Sequence, residues 1–220
     1  MNKRLTAIIA FAIFIAAPAG AGAQTPPTQT LVTWQAETYA PESFSGKIMP
    51  MSDSAITVGV DLIDLGKRVD LSSYKVYWYL DEKFYQGALG LSRIRFTAPH
   101  FIGETAVKVR VLIVDYKSGV GKTVNIPLVV PEVVIQSSNP GLAASAVPFT
   151  LQAYPYFFNV QSAFDLNYSW KLRGSVVGTE NPITITNEMA GDGRAARLEL
   201  TLNNPLRPIE RITQGVNIFR

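Results

Sequence analysis

The sequence predicts an all-β fold, with two antiparallel β-sandwich domains in tandem after an N-terminal signal peptide. Three observations predict it. Short runs of alternating apolar and polar residues recur between clusters of Gly, Pro, Asn, Asp and Ser, and such alternation gives each strand one apolar face. No stretch of useful length shows a helical period. Segments of the first half also recur in the second half at a constant offset, which indicates a duplicated unit.

The composition fits globular domains and excludes several classes of chemistry. The chain has 220 residues, of which 47% are hydrophobic and 17% charged, so it can bury real cores. It contains no Cys and one His. Disulfides, thiol nucleophiles and Cys-based zinc sites are therefore excluded, and few options remain for multi-His metal sites or general-base catalysis. We expect no cofactor and no metal.

The N-terminus reads as a signal peptide covering residues 1–23. Lys3 and Arg4 precede the apolar run Leu5 to Ala17, and the small residues Ala21 to Ala23 favour cleavage before Gln24. The apolar run is too short to span a bilayer comfortably, although an uncleaved anchor stays open. We expect an exported protein in the periplasm, at the cell surface or outside the cell. Cleavage lowers the basic residues from 20 to 18, against 17 acidic ones, which gives no reason to expect a nucleic-acid partner.

The first sandwich domain is predicted at residues 31–130, after a disordered leader at residues 24–30. The leader is polar and rich in Pro and Thr. Pro127 lacks a backbone donor, which places the last strand at a sheet edge or a bulge. The alternating runs that define the strands are Ile56 to Leu62, Val76 to Leu80, Ile94 to Phe96, Val107 to Ile113 and Val124 to Leu128.

The second sandwich domain is predicted at residues 131–220. No flexible spacer surrounds Pro131, so we expect a stiff pair of domains. Two short matches at an offset of 92 tie the halves together: Val76 to Leu80 with Tyr168 to Leu172, and Val124 to Ile126 with Val216 to Ile218. The predicted strands are Phe149 to Ala153, Tyr168 to Leu172, Ile183 to Ile185, Leu198 to Leu202 and Val216 to Ile218.

These patterns resemble immunoglobulin-like sandwiches of the PKD type. The residues that carry the resemblance are Tyr77 to Asp81, Phe96 to Pro99, Gly103 and Val107 to Asp115, with Trp170 and Leu198 to Leu202 in the second half. The whole chain, including Tyr154 to Asn159, is also similar to uncharacterised secreted two-domain proteins of reduced-genome bacteria. The first resemblance implies a spacer or adhesive module, and neither one implies catalytic residues.

Several motifs are weak candidates for chemistry. Gly119 to Thr123 matches only the tail of a phosphate-binding loop and is followed by a strand pattern, so we interpret Asp115 to Lys122 as a hairpin turn between two strands and expect no nucleotide. The sequence contains no Gly-x-Ser-x-Gly nucleophile elbow that could pair with His100 in a hydrolase triad, so we interpret His100 as an exposed loop residue. The turn carboxylates Asp81, Glu82, Asp115 and Asp192 are better explained as caps of backbone N–H groups than as calcium ligands.

Aromatic residues supply the candidate binding sites. Alternation places Trp78 and Trp170 on the apolar faces, so we expect core positions, with sugar stacking as the alternative. The opposite face of the first domain is predicted to carry two aromatics beside two cations, Tyr77, Tyr79, Lys108 and Arg110, on strands that should be neighbours in one sheet. The competing interpretation is that these side chains only cover the surface of the sheet as cross-strand pairs and bind nothing. The matching positions of the second domain are Ser169, Lys171, Arg197 and Glu199, which predict an ordinary solvent-exposed polar surface.

A second aromatic cluster spans Tyr154 to Phe158, where Pro155 should end a strand ladder. It is expected at the rim of the second domain or in the interdomain contact, with an exposed binding patch that includes Tyr154 and Tyr156 as the alternative.

Together these features favour a non-enzymatic, exported module of the cell envelope or surface that binds a protein partner. A carbohydrate-binding module, and so a polysaccharide partner, is the second hypothesis. A hydrolase that uses only carboxylates, for example Glu180 or Asp192, is the third, and it requires two carboxylates about 5–10 Å apart across a cleft.

Overall fold

The computed structural model describes residues 27–100, 105–138, 148–190 and 196–218. Strands dominate them, and the helices are the 3₁₀ turn Ala163–Asp165 and α1 (Asn187–Ala190). No helix within these ranges is long and apolar enough to cross a bilayer. The strands of the first half are β1 (Gln29–Ala36), β2 (Ala55–Asp64), β3 (Lys67–Arg68), β4 (Lys75–Leu80), β5 (Lys83–Leu89), β6 (Arg93–Thr97), β7 (Ala106–Ile113) and β8 (Val120–Pro127). Those of the second half are β9 (Glu132–Ser137), β10 (Phe149–Tyr156), β11 (Asn167–Leu172), β12 (Ser175–Gly178), β13 (Ile183–Ile185), β14 (Ala196–Asn204) and β15 (Arg207–Ile218).

The first sandwich packs two antiparallel sheets face to face. One sheet has the order β1-β2-β3, with β6 also paired to β2, and the other has the order β5-β4-β7-β8. The predicted neighbours β4 and β7 pair directly, with Tyr79 opposite Arg110. Alternate residues of β2, β4, β6 and β7 point into one shared core, in which Ile56, Leu62, Val76 and Ile113 are fully buried.

The second sandwich repeats this arrangement. Its sheets have the orders β13-β10-β9 and β12-β11-β14-β15, and the latter matches the order β5-β4-β7-β8 strand for strand. Its core includes Leu151, Ile183, Leu200 and Leu202. The predicted fold class, two tandem immunoglobulin-like sandwiches, is therefore confirmed. The division of the chain at Pro131 stays a prediction, and the signal segment at residues 1–23 lies outside the described residues.

Both indoles lie at the centres of these cores, as the alternation predicted. Trp78 and Trp170 are each 0% exposed. Each indole N–H donates to a backbone carbonyl, that of Leu91 at 2.9 Å and that of Glu180 at 3.0 Å. Because the polar edge of each ring is satisfied, the rest of the indole can be buried without an unpaired donor.

The start of the first sandwich corrects one prediction. β1 begins at Gln29 and pairs with β2 along its whole length, so the last two residues of the predicted leader belong to a sheet. Thr28 donates to Asp64 Oδ1 at 2.5 Å, Lys117 Nζ lies 2.8 Å from the same atom, and the Tyr116 hydroxyl donates to Oδ2 at 2.7 Å. The hydrogen bonds from Lys117, Thr28 and Tyr116, in that order, hold the pKa of Asp64 well below its usual range. The hydrogen bond to Asp64 raises the pKa of Tyr116 to about 12.

The connection between β1 and β2, residues 37–54, holds the two sandwiches together. Tyr39 exchanges two backbone hydrogen bonds with the second sandwich: its N–H donates to Phe158 O at 2.8 Å, and its carbonyl accepts from Phe157 N at 2.7 Å. Phe157 adopts a left-handed backbone conformation, with φ of +64°. Further along the connection, Pro50 O accepts from the linker N–H of Val129 at 2.9 Å.

A buried carboxylate organises the other side of this junction. Glu210 in β15 is 1% exposed and accepts from Asn159 N at 2.9 Å, from Asn159 Nδ2 at 2.8 Å and from Asn204 Nδ2 at 3.0 Å. Arg207 Nε lies 3.7 Å from it. Two of these partners also reach the first sandwich, since Asn159 Nδ2 donates to Ser52 O at 3.1 Å and Arg207 to Asp53 O at 3.2 Å. Glu210 therefore fixes the side chains that bridge the sandwiches.

Candidate functional site

The outer face of the sheet β5-β4-β7-β8 brings together four of the six predicted site residues. Tyr77 and Tyr79 lie on β4 between β5 and β7, and both are half-buried. Their ladder partners on β7 are Leu112 and Arg110, and Lys108 follows on the same face of β7. Alternation predicted this side of the sheet correctly because Val76 and Trp78 are anchored in the core.

β5 adds two apolar residues that the sequence reasoning missed. Phe84 lies opposite Tyr79, and its ring makes edge-to-face contacts with Tyr77 and Tyr79 at centroid distances of 6.1 and 5.8 Å. Phe84 is 62% exposed and Leu89 is 63% exposed. Gly87 leaves room for the Tyr77 ring, since a Cβ there would lie 2.2 Å from that ring. The signal that could have revealed β5 is the Asp81-Glu82 pair, which follows β4 as a tight turn would.

The cations of this surface share one carboxylate. Lys108 Nζ lies 2.8 Å from Glu82 Oε1, whereas Arg110 Nε lies 3.6 Å from Glu82 Oε2. The hydrogen bond from Lys108 lowers the pKa of Glu82 from its ordinary value. The guanidinium of Arg110 stacks on Tyr79, with Cζ 4.1 Å from the ring centroid. We call this surface the aromatic–basic face, and define it as Lys75, Tyr77, Tyr79, Glu82, Phe84, Leu89, Lys108 and Arg110.

Arg110 supplies a buried, unsatisfied hydrogen-bond donor to this face. Its Nε atom is buried and has no hydrogen-bond partner within the described ranges. The side chain as a whole is 39% exposed, so the other guanidinium donors are accessible to a partner. Glu82 is the nearby acceptor, and its better contact goes to Lys108. The aromatic–basic face therefore presents a cation that lies over Tyr79 and has no close carboxylate of its own.

Tyr154 and Tyr156 lie elsewhere, on β10 of the second sandwich. Both are half-buried and project from the side of β10 opposite the buried Ala153 and Pro155. Tyr156 contacts the ring of Phe44 edge-on at 5.4 Å, which links it to the connection between β1 and β2. The structure therefore does not join these two tyrosines to the aromatic–basic face, and a binding role for them stays a prediction.

The other residues singled out in the sequence lie in loops and turns. His100 is exposed, and its Nδ1 lies 2.9 Å from Asp53 Oδ2. The hairpin turn predicted at Asp115 to Lys122 lies between β7 and β8, but it is shorter than predicted: it ends at Gly119, with φ of +89°, and β8 begins at Val120. Asp81 Oδ1 accepts from the backbone N–H of Lys108 at 2.9 Å, which is the capping role expected of it.

The carboxylates proposed for hydrolysis do not form a visible pair. Glu180 accepts from the neighbouring Thr179 N–H at 3.0 Å, and Asp192 lies outside the described residues. Within the parts of the chain that the structure describes, no group of three or more His, Asp or Glu residues could hold a metal ion.

Comparison with known proteins finds similarity among solved structures. No family model and no curated protein matches it. Among solved structures, it is similar to the three N-terminal domains of the highly immunogenic outer capsid protein (Hoc) of bacteriophage RB49, with 13% identity, 87% of this chain and 59% of that chain covered, and a TM-score of 0.47. It is also similar to the fibronectin(III)-like modules of CbhA from Clostridium thermocellum, with 12% identity, coverages of 86% and 93%, and a TM-score of 0.28.

A third similar structure is dimeric latent PorU from Porphyromonas gingivalis, with 10% identity, coverages of 89% and 20%, and a TM-score of 0.28. The chain spans about three fifths of the Hoc chain and a fifth of the PorU chain. At these identities and TM-scores the similarities carry no argument about function. The chain is an immunoglobulin-like tandem sandwich by its own strand order and cores, and its assignment to the PKD type stays a prediction.

Proposed function

We propose that this chain is an exported, non-enzymatic module of the cell envelope or cell surface that binds a protein partner through the aromatic–basic face. The observation that carries the proposal is the exposure of Phe84 and Leu89, above 60% each, beside two ordered tyrosines. Large apolar side chains that share one face of a rigid sheet are typical of interaction sites. Tyr and Arg are also the residues that contribute most often to binding energy at interfaces.

The ring geometry supports a protein partner over a sugar. Phe84 stands at 77° to Tyr77 and at 76° to Tyr79, so the three rings do not form a common plane on which pyranose rings could stack. One face of Tyr79 is also covered by Arg110. A partner protein can interdigitate with such tilted rings, because interface side chains pack edge to face as core side chains do.

Export and lack of catalysis belong to the same proposal. The signal-like residues 1–23 support export, and the PKD-like sequence pattern supports a spacer or adhesive role. The composition, with no Cys and one His, supports a function without a thiol nucleophile or a multi-His metal site. Mass spectrometry of the mature protein tests export directly, and a mature chain that begins at Gln24 is expected.

Site-specific crosslinking tests the binding face. Phe84 is replaced by the photoreactive benzoylphenylalanine in the native organism, and the matched control places the same residue at Phe164, which is 94% exposed in the second sandwich. We expect a crosslinked product of one defined mass from position 84 alone, and less of it when Tyr79→Ser is added. Identical products from both positions, or none from position 84, would show that this face does not bind the partner.

A further inference from the structure

We infer that the partner of the aromatic–basic face is acidic: it presents a carboxylate to Arg110 next to an apolar side chain that packs on Phe84 and Leu89. This inference rests on the proposed function and adds the chemistry of the partner to it. Three features of the face, its charge, its bonding and its spacing, lead to the same partner.

The face carries excess positive charge. Lys75, Lys108 and Arg110 contribute three positive charges, and Glu82 and the Asp81 carboxylate beside the Lys108 backbone contribute two negative charges, which leaves a net charge of +1 on one side of a single sheet. A second copy of this chain would bring the same sign of charge to the contact, and like charges repel. Charge complementarity therefore selects an acidic partner over self-association or a basic partner.

The bonding of Arg110 favours an anionic oxygen ligand, which in an unmodified protein partner is a carboxylate. Glu82 gives its 2.8 Å contact to Lys108 and stays 3.6 Å from Arg110 Nε, so one anion serves two cations. The Arg110 guanidinium carbon lies over the Tyr79 ring, 4.1 Å from its centroid, and because Nε is buried the two terminal nitrogens form the donor edge that a partner can reach. Carboxylates bind such an edge through two parallel charge-assisted hydrogen bonds, which a lysine cannot offer.

The ladder sets the distance between the charged and the apolar contacts. Phe84, Tyr79 and Arg110 lie opposite one another on β5, β4 and β7, so Phe84 and Arg110 are two strand spacings apart, or about 10 Å between backbones. Neighbouring acidic and aromatic side chains of one partner segment can reach both positions. The partner is therefore a protein surface that combines Glu or Asp with Tyr, Phe or Leu.

Defined polymers test this chemistry without a known partner. The purified mature chain is tested by biolayer interferometry against an immobilised random copolymer of glutamate and tyrosine, with a lysine–tyrosine copolymer as the charge-reversed probe. We expect binding to the acidic copolymer alone, weakened by added salt. Arg110→Gln should weaken it about tenfold or more, and Arg110→Lys should recover only part of the loss. Phe84→Ser should weaken it as well.

The matched control is Arg197→Gln in the second sandwich, where the arginine has its own carboxylate, Glu199, at 3.4 Å. This variant should bind as the unaltered chain does, and melting curves of all variants establish that they fold. Equal binding to both copolymers, or unchanged binding by Arg110→Gln, overturns the inference. If the copolymer results overturn the inference but position 84 still crosslinks to one partner in cells, the acidic chemistry of the partner is wrong and the proposed function stands. If the crosslink is also absent, both fail.

Discussion

Replacing Glu210 by Ala should destabilise the protein more than the loss of any exposed charge. Glu210 is 1% exposed and accepts three hydrogen bonds, two from Asn159 and one from Asn204. Alanine would leave those donors facing an apolar methyl group. Arg207, 3.7 Å away, would lose its nearest counter-charge within the described ranges.

The magnitude follows from the burial. A hydrogen bond to a charged group contributes about 1.5–3 kcal/mol, but the three bonds do not add in full, because water can enter the space left by the side chain and satisfy some donors. Arg207 is 41% exposed, so water can solvate its charge, and the cost arises from the donors of Asn159 and Asn204, at about 1–3 kcal/mol for each donor left unsatisfied. We therefore expect a total loss of roughly 2–4 kcal/mol, which is a substantial part of the roughly 5–15 kcal/mol that stabilises an ordinary domain.

Urea unfolding measured by tryptophan fluorescence provides the assay, since Trp78 and Trp170 report on one core each. The control is Glu199→Ala, which removes a half-exposed carboxylate that pairs with Arg197 at 3.4 Å and should cost no more than about 1 kcal/mol. Hydrogen exchange should also rise at Asn159 in Glu210→Ala. If both variants lose the same small free energy of unfolding, Glu210 does not organise the junction and the reasoning is refuted.

Two further outcomes concern the cores and the polar cluster around Asp64. Trp78→Ala or Trp170→Ala should each cost about 3–5 kcal/mol, the usual penalty for emptying a core, and an unchanged melting temperature would contradict the burial of that indole. The folded-state pKa of Asp64 is depressed below its unfolded value, so its contribution to stability is present above about pH 4 and is lost as the pH falls through the folded pKa. Asp64→Asn should therefore melt below the unaltered chain at neutral pH, and the gap should close in acid; a constant gap across a pH series of calorimetric scans would contradict the stabilising role of the carboxylate.

Much of the fold could be predicted from period-two alternation alone. Residues such as Val76, Trp78 and Val109 are bulky and apolar at every second position, so the buried side of each strand could be read directly. No strand was predicted over Gln29 to Ala36, because only Val32 and Trp34 are large among its inward-facing residues. The first residues of β1 are polar, like those of the predicted leader. Its pairing with β2 involves residues that are distant in the sequence, so the local pattern does not indicate a strand.

The candidate site was only half visible in the sequence. Tyr77, Tyr79, Lys108 and Arg110 could be placed on one face because their strands alternate cleanly. Phe84 could not, because the ladder between β4 and β5 shifts register between Trp78 and Tyr79, and a bulge breaks the alternation that assigns sides. Glu82 was predicted only as a turn residue, since its contacts with β7 are long-range.

The connection between β1 and β2 also determines how the protein responds to tension. Tyr39 is bonded in both directions to Phe157 and Phe158, and Pro50 holds the linker at Val129, so the same segment grips the chain on both sides of the boundary. A force that pulled the two sandwiches apart would act on these backbone hydrogen bonds together. While these bonds hold, the two sandwiches would move as one rigid unit. A partner bound to the first sandwich would then keep a constant distance from any molecule that holds the second.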